Sequence, residues 1–556
     1  MPITAYLPDF TVHSIFEEHP ERKITLRSLL AHTAGFTHEA PVGNNWDADA
    51  ASFDAHLRSI SDTWLRFPVG TGYAYSNLGI DLAAGILQKV TGQPFADYER
   101  AQLFQPLGMT HSSFDMALIG AEPNRAIGHA DVARSTRPAV PMLGAGGMYA
   151  SANDLAQFIQ FALHDGAVNG QSVLSKMLLE EMSTVQFPQV GDRYGYGLGV
   201  ARTGWYRGRN AVLLSHGGGG FGFISDLWWL PELKVGIAVL TNSSDHKLQG
   251  SLALDILYDL THQPGPSYDR LMALPSRAPV TEGDSHWLPP ADLEAGIAAR
   301  ALPADPARWQ AYLGDYKAAN WGIINPTGAP DRVYEQNGAL FLDGSDVGDA
   351  AAPRLYETAP GLFFTQNGEA LDFRPLAGGE PPTYRNLKLT RVGKGPSPAA
   401  WGLLAACGLV MLLALLALPA RPIWRRLRQR GAGGAAAAAA AARPLPQAGG
   451  APAAAAAIVG ALGSLFGLAS IGVVAAFPGL IYSGYLGWLG LPLWQKLLLD
   501  APLGLAVCAA ALAVLALPAW RRGWWSRGQR ALYTALTLAA LGEAALLAGW
   551  HLIGLG

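Results

Sequence analysis

Two short stretches hold the side chains best suited to chemistry. In Tyr73-Ala74-Tyr75-Ser76-Asn77, phenols stand close to a hydroxyl and a carboxamide; in His216-Gly217-Gly218-Gly219, an imidazole heads a run of glycines. A phenol titrates near ~10 and needs cationic neighbours to work as a base near neutrality, whereas an imidazole titrates near ~6.5 and changes charge readily. Each stretch also has a plain reading: a turn ahead of a helix for the first, a surface histidine at a strand end for the second. Gly217-x-Gly219-x-x-Gly222 fits the letter of a dinucleotide fingerprint. That motif must open a helix, and Phe223 to Leu230 reads as strand, so no dinucleotide is expected. The 13 histidines include no His-Glu-x-x-His pair and no Cys/His cluster, so neither a metal nor any other cofactor is expected.

The elements that must place these groups can be read from spacing. Ser28 to Ala31 and Asn77 to Val90 repeat apolar residues at helical intervals, and Ser76-Asn77 offers N-cap chemistry to the second. Ser151-Ala152-Asn153-Asp154 has the form of a Ser-x-x-Asp helix start before Leu155, Phe158 and Ile159. Downstream the period shortens. Tyr194 to Val200, Ala211 to Ser215, Phe223 to Leu230 and Val235 to Thr241 read as strands, the last two joined by Pro231-Glu232-Leu233-Lys234. Strands that follow one another so closely are antiparallel. Residues 1–262 are therefore expected to form an α+β domain with an antiparallel sheet.

The stretch Ile24-Thr25-Leu26-Arg27-Ser28-Leu29-Leu30-Ala31-His32-Thr33-Ala34-Gly35-Phe36 resembles one shared by serine hydrolases of the β-lactamase/penicillin-binding-protein family. Tyr73 to Asn77 looks like the family's Tyr-x-Asn motif, and Pro106-Leu107-Gly108-Met109 like its PLGM turn. Gly146-Gly147-Met148 with Ser151 and Asp154 matches a further segment. His216-Gly217-Gly218-Gly219 with Gly222-Phe223 looks like the His-x-Gly form of its third motif. The order is the family's, and the similarity spans nearly all of residues 1–250. It implies a class C β-lactamase-related domain and acyl transfer through a serine ester. It implies Tyr75 as a partner in proton transfer and Asn77 as an amide that holds the substrate and a lysine. His216 stands where many relatives have lysine; it would pair with Tyr75 or, when protonated, with a substrate carboxylate. Gly218 and Gly219 would lie along the substrate, the Gly219 N–H forming half of an oxyanion hole. His32 reads as structural, packed inside its loop.

The resemblance also implies a Ser-x-x-Lys ahead of Tyr6-Leu7-Pro8, and none is there. Met1-Pro2-Ile3-Thr4-Ala5-Tyr6 opens directly into domain-like sequence, without the charged and apolar regions of a signal peptide. The expectation is an N-terminally truncated domain, without its nucleophile and without two strands and a buried helix of the family's sheet, inactive as written. Ser244-Asp245-His246-Lys247 has the spacing but follows the third motif, out of the family's order, and reads as a chance match. The substrates implied are peptidoglycan peptides, D-amino-acid peptides, esters or β-lactams. The alternative is a non-catalytic membrane protein that binds or senses an envelope ligand.

Residues 263–305, rich in Pro, Ala and Asp, read as a linker. Residues 306–394 carry short alternating runs parted by Gln336-Asn337-Gly338 and Gln366-Asn367-Gly368, the pattern of a small all-β domain. It resembles the lipocalin-like domain that follows the hydrolase in some relatives, with aromatics expected in its core rather than around a ligand. Four apolar stretches follow, about 399–419, 455–477, 501–520 and 531–553, each near the ~20 residues that cross a bilayer as a helix. Arg421, Arg425, Arg426, Arg428 and Arg430 follow the first; Arg521, Arg522, Arg527 and Arg530 separate the last two. By the positive-inside rule these clusters are cytoplasmic, so residues 1–395 face outward from a bacterial-type cell membrane. Glu543 is an ionisable residue within the last span, yet the spans read as an anchor rather than a transporter. The formal net charge of -3 and the lack of a basic stripe exclude a nucleic-acid partner. The partners expected are the lipid bilayer and a small-molecule or peptide substrate of the cell envelope. Cys407 and Cys508 both lie in apolar runs and suggest no disulfide framework.

Overall fold

The computed structural model describes residues 1–43, 51–130, 133–135, 140–190, 194–206, 209–220, 222–243, 248–261, 287–318, 331–343, 353–392, 401–415, 450–476, 489–490, 500–524 and 526–549. They form two compact units, divided near residue 391.

The first unit is α+β. Its central sheet has the order β1-β2-β3-β4, all antiparallel: β1 is Gly199–Tyr206, β2 Arg209–Gly220, β3 Phe223–Leu230 and β4 Val235–Thr241. The last two match the expected spans. Expected strand Tyr194 to Val200 starts later, because Tyr194 bridges Gly199 across a tight turn. Side chains alternate across the sheet. Leu214 and Trp229 face one side, against Ile159 and Leu163 of a helix at Ala152–Leu163; Leu213, Trp228 and Leu230 face the other, against Leu254 and Leu257 of a helix at Leu248–Thr261. A side chain at Gly236 of β4 would meet Ile159 at 2.6 Å, so close packing of the first helix requires glycine there. Ser151 caps that helix by accepting from the Asp154 N–H, as its spacing predicts.

Helices ahead of the sheet are α1 (Leu26–Leu30), α2 (Phe53–Ser59) and α3 (Asn77–Thr91); the two sheet-packing helices become α4 (Ala152–Leu163) and α5 (Leu248–Thr261). Thr25 and Ser28 form a reciprocal cap on α1. Ser76 precedes α3 as expected, but its hydroxyl donates to the Thr37 carbonyl rather than capping the helix.

The stretch read as a linker is ordered in its second half. Trp287–Leu288 pairs with Tyr73–Ala74, and a short helix at Leu293–Ala298 buries Leu293 and Ile297. Eight antiparallel strands then close into a barrel: β5 Gly314–Ala318, β6 Asp331–Gln336, β7 Ala339–Asp343, β8 Arg354–Ala359, β9 Leu362–Thr365, β10 Ala370–Asp372, β11 Thr383–Tyr384 and β12 Leu387–Val392. Its interior is filled by Tyr316, Leu340, Leu355, Phe363, Leu371 and Phe373. The barrel is tied to the sheet-bearing part through Glu369, which pairs with Arg66 at 2.9 Å and accepts from Thr37 Oγ1 at 2.8 Å.

The second unit is helical: α6 Trp401–Leu415, α7 Gly450–Ala476, α8 Ala501–Arg521 and α9 Arg527–Gly549. Three of these are long and apolar enough to cross a membrane, within α7, α8 and α9. The first expected span is helical over its described part, Trp401–Leu415, and is shorter; the rest of it and the arginine cluster after it lie outside the described residues.

Candidate active site

Tyr75 sits just ahead of α3, at the end of the strand Tyr73–Ala74, where the backbone turns into the helix. That turn is locked by His32: the Ala74 N–H donates to the His32 carbonyl at 2.9 Å and the Ser76 N–H donates to His32 Nδ1 at 3.2 Å. His32 holds a left-handed backbone, φ 57°, at the sharp turn after α1. A side chain at Gly79 of α3 would come within 2.9 Å of the Leu29 carbonyl, so this glycine lets α3 lie directly on α1.

The structure brings Tyr75 and His216 together, with ring centroids 6.3 Å apart. Between and behind them stand His32, 4.2 Å from Tyr75, and Tyr194, 4.7 Å from His32 and 6.4 Å from His216. His216 projects from β2 opposite Leu227, on the α4 side of the sheet. Gly218 and Gly219 follow on the same strand, paired with Ser225 and Ile224 of β3. On the other side β1 begins its ladder at Ser215. The β2 backbone from His216 to Gly220 thus has no ladder partner there among the described residues, leaving an edge on which an extended ligand could lie.

Both imidazoles are biased toward the neutral form. Burial pushes the His216 pKa down, opposed by its hydrogen bond to the Gly217 carbonyl; burial and the neighbouring His216 and His38 push His32 well down. The Gly217 bond requires the proton on His216 Nδ1, so Nε2 carries a lone pair. A neutral His216 suits proton exchange with a phenol and does not suit the clamp on a carboxylate that a protonated ring would give. His32 is the reverse: Nδ1 accepts, Nε2 carries the proton, and Nε2 is buried with no partner.

Asn77, the first residue of α3, is buried. Its amide nitrogen donates to Glu39 Oε1 at 3.3 Å, and a carboxylate partner fixes which way the amide faces. Its carbonyl oxygen is buried without a partner among the described residues, an acceptor open to a donor. Glu39 is itself held at its backbone carbonyl by Asn386 Nδ2 from the barrel turn between β11 and β12, 2.7 Å. One helical turn further on, Asp81 accepts from His56 Nε2 at 3.0 Å and from the Gly144 and Ala145 N–H groups, tying the turn just ahead of Gly146-Gly147-Met148 to α3. Ser244 to Lys247 lie outside the described residues.

His32, Tyr194, Glu39 and the His56–Asp81 pair were not marked as site residues by the sequence. For His32 the motif was visible but its partner, the Ser76 N–H, is 44 positions away. Tyr194 had a faint signal in the Tyr-Gly-Tyr-Gly-Leu-Gly run; Glu39 and His56 had none. Among the described residues, no group of three or more His, Cys, Asp or Glu could hold a metal ion.

Residues 1–257 match the family model described as Beta-lactamase. Penicillin-binding protein PbpX of Bacillus subtilis is 31% identical over 205 residues, 36% of this chain and 46% of that protein. The D-alanyl-D-alanine-carboxypeptidase/endopeptidase AmpH of Escherichia coli is 25% identical over 257 residues, 44% of this chain and 64% of that protein. The chain thus spans between about half and two thirds of these relatives' lengths. The octameric penicillin-binding protein homologue from Pyrococcus abyssi is similar to 71% of this chain and 79% of its own, at 17% identity and a TM-score of 0.39.

Proposed function

We propose, from the match of residues 1–257 to the beta-lactamase family model, that the chain carries a membrane-anchored, outward-facing serine-hydrolase site for acyl transfer on amide or ester bonds. The observation that carries this reading is the approach of Tyr75 to His216, ring centroids 6.3 Å apart, beside the β2 edge that opens after Ser215. A serine oxygen attacks the carbonyl carbon of an amide or ester. Its proton passes to Tyr75 as the phenol hands its own proton to the lone pair of His216; the same relay returns a proton to the departing amine or alcohol, and water later cleaves the serine ester. The Gly219 N–H, with that of the nucleophile, faces the developing oxyanion. Asn77 meets a donor with its unpaired carbonyl oxygen, an N–H of a peptide substrate or a lysine ammonium. Envelope peptides, D-amino-acid peptides, esters and β-lactams all present such a carbonyl.

The serine and lysine have no counterpart in the family's place within these 556 residues. This reading needs such a pair at that place and predicts no stable acyl-enzyme from residues 1–556 alone. On a chain that includes such a pair, Tyr75→Phe lowers the rate of acylation by about 10²–10⁴, the usual yield of positioned proton transfer; acylation at the wild-type rate removes Tyr75 from its role. A second reading, a groove that holds an envelope ligand without turnover, keeps the β2 edge and loses the tyrosine effect.

A further inference from the structure

The membrane unit holds one side chain that an anchor does not need. Glu543 of α9 is fully buried, and neither carboxyl oxygen has a hydrogen-bond partner among the described residues. Other buried hydroxyls of the bundle are satisfied inside their own helices: Ser464 donates to the Gly460 carbonyl at 2.9 Å, Ser470 to Phe466 at 2.7 Å and Thr537 to Tyr533 at 2.8 Å. Glu543 lies where α6 and α7 approach α9. A methyl group added at Gly467 of α7 would stand 3.2 Å from Glu543 Oε2 and would strike Met411 of α6; one added at Gly542 would stand 3.8 Å from Cys407 Sγ. The space around the carboxyl is thus shaped by glycine and closed by sulfur-bearing side chains. From α6, Cys407 is the titratable group within electrostatic range. From α7 the residue facing the carboxyl is Gly467; α8 turns Cys508 toward Gly463. Among the described residues no lysine, arginine or histidine pairs with Glu543.

A carboxylate in hydrocarbon, without counter-ion or hydrogen bond, is far more costly than the neutral acid. We propose that Glu543 is a proton-binding site built into the helical bundle, which makes the bundle a proton-responsive element as well as a tether. Release of the proton cannot leave the packing as it is. The carboxylate must gain water or a cation, and the contact of Gly467 with Met411 and Glu543 is the place where the helices part.

The test uses the full chain in detergent micelles and in phosphatidylcholine vesicles. Dicyclohexylcarbodiimide, an apolar reagent, attacks carboxyls in their acid form; a water-soluble carbodiimide reaches only those open to solvent. Peptide mapping is expected to show Glu543 modified by the apolar reagent and spared by the soluble one. The rate falls about tenfold per pH unit once the acid ionises. Glu543→Gln abolishes the adduct, Glu543→Asp keeps a reactive acid, and Cys407→Ala leaves labelling in place. Circular dichroism checks that each variant keeps its helices, and the wild-type pH profile stands whether or not a variant folds. An unmodified Glu543, equal reaction with both reagents, or a rate indifferent to pH overturns the proposal. None of these results depends on the hydrolase reading.

Discussion

The two largest antiparallel sheets of the first unit end in different ways. The barrel β5–β12 closes on itself, so its strands have neighbours on both sides and its aromatic interior is sealed. The sheet β1–β4 is open. Among the described residues β4 has no strand beyond it, and on α5 beside it Leu248, Leu252 and Leu260 are 59%, 41% and 54% exposed. An unpaired edge next to an apolar stripe is what sequences usually avoid. The difference separates a sheet closed on itself from one with an open edge, and the candidate site belongs to the second.

The largest effect expected from this contrast is in the barrel. Glu357, at the bulge between β8 and β9, accepts from Arg308, from Trp309 Nε1 at 2.9 Å and from the Gly361 N–H at 3.0 Å. Glu357→Ala strips these donors together and costs about 3 kcal/mol, read by chemical denaturation of the full chain. Burial acts to raise the Glu357 pKa, but Arg308 and the other donors outweigh it and hold the group below its ordinary value. Its stabilisation is present above that ordinary value and fades as the pH falls through the lowered one. A barrel indifferent to this substitution would break the contrast with the open sheet.

On the open sheet the sign reverses. Burial pushes Asp226 of β3 up to about 6 from 3.8, although Trp228 Nε1 donates to it. The folded state therefore holds the proton more tightly, and stability falls as the pH rises from about 4 to about 6, by about 2–3 kcal/mol. Asp226→Asn keeps an acceptor for Trp228, removes that slope and raises the melting temperature at neutral pH. A slope that survives the substitution belongs to some other group.

The smallest effect is on the α5 stripe. Replacing Leu248, Leu252 and Leu260 by serine changes stability by no more than about 0.5 kcal/mol each, as exposed positions do, but lowers self-association measured by sedimentation in detergent. Leu376→Ser, at an exposed barrel position, leaves association as it was. Equal effects at both places would erase the distinction between the two sheets.

β3 and β4 were legible to the residue, because each is a short apolar run rich in β-branched or aromatic residues and the two are parted by Pro231-Glu232-Leu233-Lys234. Helix α3 was legible from its apolar spacing. The sites that needed distant partners were not. His32 was read as structural, yet it joins α1 to the Tyr75 turn through a contact with Ser76. Leu293 and Ile297 are too few to show a period, so a packed helix was read as linker. Glu39 is buried by Asn77 on one side and Asn386 on the other, 38 and 347 positions away, and no local pattern signals such a pairing. The motif residues Tyr75 and His216 were legible as types; their approach to 6.3 Å was visible only in the fold.

The most direct test of the acyl-transfer account is covalent labelling by a fluorescent penicillin or fluorophosphonate. It compares membranes bearing residues 1–556 with membranes bearing a longer in-frame product that contains a Ser-x-x-Lys. The account predicts no adduct on the first and, on the second, an adduct whose rate Tyr75→Phe lowers. An adduct on residues 1–556 that disappears with Ser244→Ala would contradict it, as would a longer product that never labels.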